Sequence, residues 1–323
     1  MSLLEVCDLT VALKKNDKII NAVNNISFSI EEGEIVALAG ETGCGKTLAA
    51  LSIAGLLPQK ANIVSGDIIF NNRQLTSLSE KDLCGIRGKE ISMIFQEVRQ
   101  SLNPLLKVGR QIMETLELQG SMNKAQNKLK VLEILDSLGF EKPEKIFFAY
   151  PHQLSGGMCQ RIVAAIASIG CPRLLLADEP SSALDADSQE RILSLLTKMN
   201  LDYKMSVLII SHDLSVISKF AGRFLVMYAG RIVEEGPGST LFLPLHPYTQ
   251  ALVNAIPDKN KRGKELENIP GKVPSVEDSL TGCPFAPRCK KAQGICFESF
   301  PHANYLEKGK VYCHYPLNGE NHG

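Results

Sequence analysis

The chain has 323 residues, 44% of them hydrophobic and 22% charged, a composition that is typical of globular proteins and excludes a disordered chain. Its 35 Lys and Arg residues balance 35 Asp and Glu residues, so net charge provides no general attraction for nucleic acid. Charges near the amino terminus come too early for the apolar core of a signal peptide, so none is expected. No apolar run reaches the roughly 18 residues that cross a bilayer. We therefore expect a soluble chain whose membrane role depends on partners.

The amino-terminal part of the chain is predicted to alternate strands with one helix. Strand-like segments lie at 4–11, 22–30, 34–39, 66–70 and 91–95. A helix is predicted at 47–57, where Pro58 would end it because proline cannot continue the hydrogen-bonded ladder.

The middle of the chain, residues 102–168, has a helical pattern. Leucines recur every three positions from Leu129 to Leu138 and predict a packing face rather than a binding surface. Gly139 follows directly and is predicted to cap the end of that helix.

Strands return in the second half of the chain. The segments 174–177 and 207–210 are continuously apolar, as expected for parallel strands that are buried on both faces. Two further segments, 224–228 and 231–235, flank an Ala-Gly pair and predict a hairpin.

A glycine-rich loop lies between a predicted strand and a predicted helix. It consists of Gly40, Glu41, Thr42, Gly43, Cys44, Gly45, Lys46 and Thr47. This spacing fits the P-loop, whose backbone N–H groups surround nucleotide phosphates. Lys46 would supply a mobile positive charge, and the Thr47 hydroxyl would bind Mg²⁺.

Two carboxylates, Asp178 and Glu179, directly follow the apolar strand 174–177. The carboxyl ends of parallel strands are where α/β sheets bind their ligands. Asp178 is predicted to hold Mg²⁺ through water, and Glu179 to orient and polarise an attacking water. These roles suit phosphoryl transfer, which depends mainly on positioning and charge neutralisation.

The octet LSGGMCQR, residues 154–161, is a second candidate phosphate cradle. Ser155, Gly156 and Gly157 precede an apolar, helix-like run at 162–169. Bare backbone at the start of a helix presents N–H groups and a partial positive charge, which suit an anion. Two cradles so far apart in sequence suggest that one nucleotide is held between two molecules.

These motifs, with three more residues, resemble those of ABC-type ATPases over residues 3–256. Gln96 resembles the Q-loop glutamine that reaches the metal and the attacking water. Asp185 ends a stretch, 182–185, that is similar to the D-loop, and His212 resembles the switch histidine that contacts the γ-phosphate. The resemblance implies an α/β P-loop ATPase core with a mostly parallel sheet, an antiparallel β subdomain and a helical subdomain. It also implies a head-to-tail dimer that encloses two ATP molecules, each between one subunit's P-loop and the other's signature serine.

Two positions, Leu13 and Cys159, depart from the expected pattern, and a third, Cys44, raises a separate question. Leu13 stands where the family usually stacks an aromatic ring on adenine, so affinity for the base is expected to be lower. Cys159 stands where relatives of this branch commonly carry a charged or polar residue. Cys44 lies near a helix amino terminus, which lowers thiol pKa values and raises the hypothesis of redox control. The simpler interpretation is that a small residue is tolerated at that position.

Four of the nine cysteines lie close together near the carboxyl terminus. They are Cys283, Cys289, Cys296 and Cys313. Without a secretion signal, a reducing cytosol is expected, where such a group favours metal ligation over disulfides. The spacing contains no CxxC pair and leaves zinc and a [4Fe–4S] cluster both open, beside the possibility of four unligated thiols.

Four stretches resemble the ATP-binding subunits of oligopeptide, dipeptide and nickel importers. They are FQEVRQSLNPLLKVGRQI (95–112), YPHQLSGGM (150–158), HPYTQALVNAIP (246–257) and GCPFAPRC (282–289). The resemblance implies a second, non-identical ABC ATPase subunit, two transmembrane permease subunits and, indirectly, an extracytoplasmic solute-binding protein. It also implies a peripheral position on the cytoplasmic face of the cell membrane and a [4Fe–4S] cluster in the tail, with Zn²⁺ as the alternative.

The predicted organisation is an ATPase domain followed by an extension. Its boundaries are an ABC ATPase domain at 1–256 with a helical subdomain at about 100–170, and a small cysteine-rich extension at 257–323 with a linker at 257–282 and the cysteine cluster at 283–313. We expect ATP hydrolysis that powers the import of oligopeptides or dipeptides.

Three other functions compete with peptide import. One is a nickel or metallophore importer, because an ATPase subunit holds no cargo pocket that would identify the solute. Another is a soluble ABC ATPase acting on nucleic acid or ribosomes. Two features count against it: the chain has no excess of basic residues and no long coiled-coil insertion. The third is a metal-responsive regulatory subunit with weak activity, which the intact Glu179 and His212 disfavour.

Overall fold

The computed structural model describes residues 2–15, 18–96, 98–120, 123–181, 184–256, 269, 271 and 281–317. Most of the predicted linker at 257–282, together with Ser182 and Ala183 of the predicted D-loop, lies outside the described residues. The chain forms two compact units, each assembled from segments that are distant in sequence. The P-loop unit comprises Leu4–Ser29, Val36–Thr76 and Ser211–Gly323, and the helical unit comprises Met1–Leu3, Ile30–Ile35 and Ser77–Ile210.

A four-stranded antiparallel sheet forms one part of the P-loop unit, in the order β2-β1-β4-β5. Its strands are β1 (Ser2–Lys15), β2 (Lys18–Glu31), β4 (Ala61–Phe70) and β5 (Arg73–Gln74). The pairing of β1 with β4 runs from Leu4 opposite Phe70 to Leu13 opposite Ala61. β4 and β5 are joined through Asn71 and Asn72, which hold left-handed backbone angles of +49° and +60° that asparagine tolerates in hairpin turns.

A second group of strands in this unit surrounds the predicted hairpin. It contains β3 (Ile35–Ala39), β9 (Arg223–Tyr228), β10 (Arg231–Pro237), β11 (Asn304–Leu306) and β12 (Gly309–Val311). β3 runs parallel to β9, whereas β9, β10, β12 and β11 are successively antiparallel. The turn residues Ala229 and Gly230 have φ angles of 44° and 82°. The hairpin prediction is therefore confirmed.

The helices of the P-loop unit are short. They are α1 (Lys46–Ala54), α8 (Leu214–Phe220), α9 (Pro247–Asn254) and α10 (Gly294–Glu298). α1 ends before Gly55, which takes a left-handed φ of 64° and donates its backbone N–H to Ser52. The prediction placed this end three residues too late, because the glycine cap stops the helix before Pro58 does.

Three parallel strands lie in the helical unit: β6 (Ile91–Ile94), β7 (Leu174–Asp178) and β8 (Ser206–Ser211). β7 pairs with β6 on one side and with β8 on the other, and every residue of β7 and β8 is buried. The continuous apolar runs thus correspond to parallel strands that are covered on both faces, as predicted.

The remaining helices belong to the helical unit. They are α2 (Glu80–Ile86), α3 (Val108–Leu118), α4 (Lys124–Ser137), α5 (Pro143–Phe148), α6 (Gly156–Ser168) and α7 (Ala186–Tyr203). In α4 the buried face includes Val131 and Leu135, whereas Leu129 is 59% exposed. A three-residue spacing drifts away from the 3.6-residue period of a helix, so the predicted leucine stripe is only partly a packing face. Gly139, with φ 74°, terminates this segment as predicted.

The predicted fold class is confirmed by these elements: parallel strands in an α/β arrangement, an antiparallel β sheet, a helical portion and a cysteine-rich carboxyl-terminal segment. Within the described residues, no helix combines the length and the apolar character that crossing a membrane requires.

Candidate nucleotide-binding site

The P-loop follows β3 and leads into α1, as its sequence predicts. A Cβ atom at Gly40 would lie 2.2 Å from the Met227 carbonyl oxygen, and one at Gly45 would lie 2.5 Å from the Ala22 carbonyl oxygen. Both glycines also have positive φ angles, 148° and 106°. The loop therefore requires glycine at these two positions for both space and backbone geometry.

Lys46 is folded back over the loop. Its Nζ donates to the carbonyl oxygens of Gly40 at 2.8 Å and Glu41 at 2.9 Å, and the residue is 6% exposed. Thr42 and Gly43 are exposed at the tip of the loop, and Thr47 is half-buried at the start of α1. The loop thus combines exposed backbone with a nearby ammonium group, which suits a polyphosphate.

Cys44 does not have the character of a reactive thiol. It is 1% exposed, and burial raises its pKa even though Lys46 lies nearby and lowers it. Because the thiolate is the nucleophilic form, a raised pKa together with burial disfavours oxidation or alkylation at this site. The structure therefore opposes the redox hypothesis and favours Cys44 as a small residue packed inside the loop.

The two predicted acidic residues lie at the end of β7 in the helical unit. Asp178 is 1% exposed, and its carboxylate is of the hard oxygen type that Mg²⁺ prefers. Glu179 has a positive φ of 49° and donates its N–H to the Ile210 carbonyl at 2.9 Å. Such a conformation in a non-glycine residue is uncommon and persists where neighbouring contacts hold it.

Gln160 supports the backbone beside Glu179 and was not singled out from the sequence. It is buried on α6, and its Nε2 donates to the carbonyl oxygens of Pro180 at 2.8 Å and Glu179 at 3.5 Å. Since Gln160 belongs to the octet, the motif places one side chain directly against the acidic strand end. The position of Gln160 within LSGGMCQR was the one sequence feature that could have marked it as a site residue.

Ser155 is the N-cap of α6 and accepts a hydrogen bond from the Met158 N–H at 3.3 Å. Ser155 and Gly156 are exposed, and a Cβ at Gly156 would meet no atom within 4 Å. At Gly157 it would lie 3.0 Å from a Leu184 side-chain carbon. The start of this helix is therefore open to solvent, as an anion from another molecule would require.

The other predicted site residues lie at the ends of strands or at the start of a helix. Gln96 is exposed just after β6, and His212 is exposed just after β8. Asp185 is the N-cap of α7, and hydrogen bonds from the Ser188 backbone and hydroxyl lower its pKa. Gln96, Ser155, Asp178, Glu179 and Asp185 thus lie in the helical unit, whereas the P-loop and His212 lie in the P-loop unit.

Comparison with known proteins decides the family. Residues 23–182 match the ABC transporter model, and residues 233–296 match the C-terminal region of oligopeptide/dipeptide transporters. The oligopeptide transport ATP-binding protein AppD of Bacillus subtilis is 44% identical over 93% of this chain and 92% of its own. The dipeptide transport ATP-binding protein DppD of Escherichia coli is 39% identical over 98% of each chain. The chain belongs to the ABC transporter ATP-binding proteins.

A solved structure agrees with this family at the level of the fold. A dimeric ATP-binding cassette in a post-hydrolysis state, bound to ADP and phosphate, matches with a TM-score of 0.66 and 30% identity. The match covers 72% of this chain and 98% of the cassette. The ABC transporter model and the ATP-binding relatives confirm the predicted enzyme activity, so this ABC protein is an ATP-hydrolysing subunit.

The cysteine tail of this ABC ATPase gathers its four thiols around one space. A cavity with about 320 Å³ of empty space, part of it open to solvent, is lined by Cys283, Cys289, Cys296 and Cys313 together with His246 and His314. Burial and the neighbouring cysteines raise the pKa of Cys283 to about 11 and that of Cys313 to about 12. The described residues nevertheless contain no group of three His, Cys, Asp or Glu side chains arranged to hold a metal ion. The predicted metal centre thus stays a prediction.

Two further contacts of the P-loop come from residues that the sequence did not single out. The Tyr248 hydroxyl accepts the N–H of Glu41 at 2.9 Å, and Arg288 pairs with the Glu41 carboxylate at 2.8 Å. Tyr248 and Arg288 lie in the stretches HPYTQALVNAIP and GCPFAPRC, which pointed to the family but carried no predicted role at the ATP site.

Proposed function

We propose that this ABC ATPase powers the import of oligopeptides or dipeptides through a membrane transporter. The observation that carries the proposal is the combination, in one chain, of an ABC cassette with the C-terminal region of oligopeptide/dipeptide transporters. Relatives named as oligopeptide or dipeptide transport ATP-binding proteins align over nearly the whole chain. Such a subunit supplies energy rather than a cargo site, so its chemistry is that of ATP.

The ATP chemistry follows from the predicted site residues. The P-loop amides and Lys46 hold the β- and γ-phosphates, and His212 contacts the γ-phosphate. Thr47, Asp178 and Gln96 are the oxygen donors that would hold Mg²⁺, which neutralises phosphate charge.

Glu179 orients the attacking water toward the γ-phosphorus, while positioning and charge neutralisation supply most of the catalysis. The signature residues Ser155 and Gly156, which are exposed, and Gly157, which is half-buried, serve a nucleotide bound to a facing subunit, with Asp185 beside that interface. Each ATP therefore depends on two chains.

The shared site calls for a facing ATPase subunit, and the peptide-transport relatives support membrane partners. We infer a second, non-identical ABC ATPase subunit, two transmembrane permease subunits and an extracytoplasmic solute-binding protein. The chain then lies on the cytoplasmic face of the cell membrane, held there by the permeases. The exposed residues at the start of α6, Ser155 and Gly156, support the facing ATPase subunit.

Reconstitution tests the transport proposal. The purified chain alone is expected to hydrolyse ATP slowly, and adding its partner ATPase and permeases in proteoliposomes should raise turnover about tenfold or more, because the second cradle completes each site. Uptake of radiolabelled di- and oligopeptides, with the binding protein supplied, measures the cargo. Uptake of nickel or a metallophore but no peptide would contradict the proposal, and so would stimulation by RNA or ribosomes instead of permeases.

We also propose that the four tail cysteines hold a metal group, a [4Fe–4S] cluster or alternatively Zn²⁺. Their thiols line one cavity, and sulfur donors suit both groups. His246 lines the same cavity and is 1% exposed, and its Nε2 has no hydrogen-bond partner among the described residues. His246 Nδ1 accepts the Tyr248 N–H at 3.0 Å, so Nε2 carries the ring hydrogen. A buried N–H of this kind is costly unless a group accepts its hydrogen bond, which supports an anionic occupant.

Metal analysis of anaerobically purified protein tests this second proposal. A brown protein that absorbs at about 400 nm and holds about four irons per chain is expected for the cluster. A colourless protein with about one zinc per chain is expected for the alternative. Cys296→Ser should lose the bound metal, whereas Cys84→Ser, at an exposed cysteine far from the cavity in sequence, should retain it. Protein that is purified without metal, and whose melting temperature does not change when iron and sulfide or zinc are supplied, would contradict the proposal.

A further inference from the structure

The carboxyl-terminal cysteine segment reaches the P-loop through one arginine. Arg288 directly precedes Cys289 and ends a short turn of 3₁₀ helix, Ala286–Arg288. The Arg288 N–H donates to the Phe285 carbonyl at 2.9 Å, and the Cys289 N–H donates to the Ala286 carbonyl at 3.2 Å. The same turn that carries a cysteine of the cavity therefore fixes the position of the arginine.

The guanidinium of Arg288 forms a two-pronged ion pair with Glu41. Nη1 lies 2.8 Å from Oε2 and Nη2 lies 3.2 Å from Oε1, a geometry that matches a planar fork to a carboxylate. The arginine side chain is 4% exposed and that of Glu41 is 25% exposed, so the pair is largely withdrawn from solvent. Hydrogen bonds to Glu41 and Tyr228 outweigh burial and raise the pKa of Arg288.

Further contacts fix this ion pair in place. Nη1 also donates to the Tyr228 hydroxyl at 3.1 Å, and Nη2 to the Ile269 carbonyl at 3.3 Å. Tyr228, Tyr248 and Phe285 pack on one another with ring centroids 4.5–5.3 Å apart. The Tyr248 hydroxyl accepts the Glu41 N–H, and Lys46 donates to the Glu41 carbonyl oxygen. With the ion pair, the N–H, the carbonyl and the carboxylate of Glu41 are therefore all held.

Glu41 places a negative charge inside a loop whose task is to bind a polyanion. An uncompensated carboxylate there would repel the phosphates of ATP, and the low dielectric of a partly buried site would strengthen the repulsion. The guanidinium of Arg288 neutralises that charge and holds the loop in one conformation.

We propose that Arg288 is a positioning residue of the ATP site, which neutralises Glu41 and holds the P-loop ready for nucleotide. The cysteine segment is then a structural part of the ATP site of this subunit. The inference rests on the proposed role of the P-loop in ATP binding and on no property of the transported solute.

Titration of the full-length chain with Mg-ATP in a calorimeter tests the inference. Arg288→Gln is expected to raise the Kd about tenfold, since it exposes the phosphates to the Glu41 charge. The double variant Glu41→Gln with Arg288→Gln should return the Kd to within about threefold of the unchanged chain, because the charge is gone. Lys290→Gln removes an exposed neighbouring charge and should leave the Kd unchanged.

The outcomes separate positioning from general stability. If Arg288→Gln leaves the Kd unchanged, the inference is wrong; if the double variant binds as weakly as the single one, the arginine is structural only. Should Arg288→Gln fail to fold, Arg288→Lys, which keeps the charge but loses the fork, must show an intermediate Kd for the inference to stand. In assembled transporter, KM for ATP should rise while kcat stays unchanged. An unaltered chain that binds no Mg-ATP would instead refute the proposed function.

Discussion

Replacing Glu179 with Gln is expected to lower ATP turnover by the assembled transporter about 10²–10⁴-fold, the range associated with losing a general base. Glutamine keeps the size of the side chain but cannot accept the proton of the attacking water. ATP binding should persist, because the proposed phosphate and Mg²⁺ contacts come from other residues. The variant should therefore accumulate as an ATP-bound closed dimer, detectable by phosphate release together with size-exclusion chromatography.

Glu133→Gln is the matched control for this experiment. Glu133 is exposed on α4 in the same unit, and its replacement should leave turnover within about twofold of the unchanged chain, as for most surface substitutions. Unaltered turnover in Glu179→Gln would refute the catalytic assignment. Loss of ATP binding in that variant would instead show that Glu179 maintains the local structure of the strand end that Gln160 supports.

Lys46→Ala is expected to raise the Kd for Mg-ATP about 10–100-fold, which corresponds to the loss of one charge-assisted hydrogen bond of about 1.5–3 kcal/mol. The ammonium now lies within 2.8–2.9 Å of the carbonyls of Gly40 and Glu41, so it is held at the loop and needs little rearrangement to reach a phosphate. Calorimetry on the full-length chain measures this effect without any partner subunit.

Lys60→Ala serves as the control for the P-loop unit. Lys60 is exposed, and removing its charge should leave the Kd unchanged. A Lys46→Ala chain that binds ATP as tightly as the unchanged one would refute the phosphate-binding assignment. A melting temperature within a few degrees of the unchanged chain would show that any loss of binding is local.

Although β4 begins at Ala61, five residues before the predicted 66, and β5, β11 and β12 were not predicted, local patterns located the other strands and the glycine-rich loop. Each of these depends on residues close together in sequence. The apolar runs of β7 and β8, the Ala-Gly turn between β9 and β10 and the glycine spacing of the P-loop all belong to this kind. Helix limits were less accurate. Gly55 ends α1 before Pro58, and exposed Leu129 falls outside the packing face, since neither detail is visible in composition alone.

The sequence by itself determined the family motifs, two candidate phosphate cradles and the grouping of four cysteines at one end. Those features depend on short spacings, which local backbone geometry makes specific. Tertiary structure alone decided that Gln160 supports the acidic strand end, that Cys44 is buried, and that Arg288 pairs with Glu41 across 247 positions of sequence. Such pairings arise because folding brings distant segments together to bury apolar surface, and the charged groups carried along must then find partners.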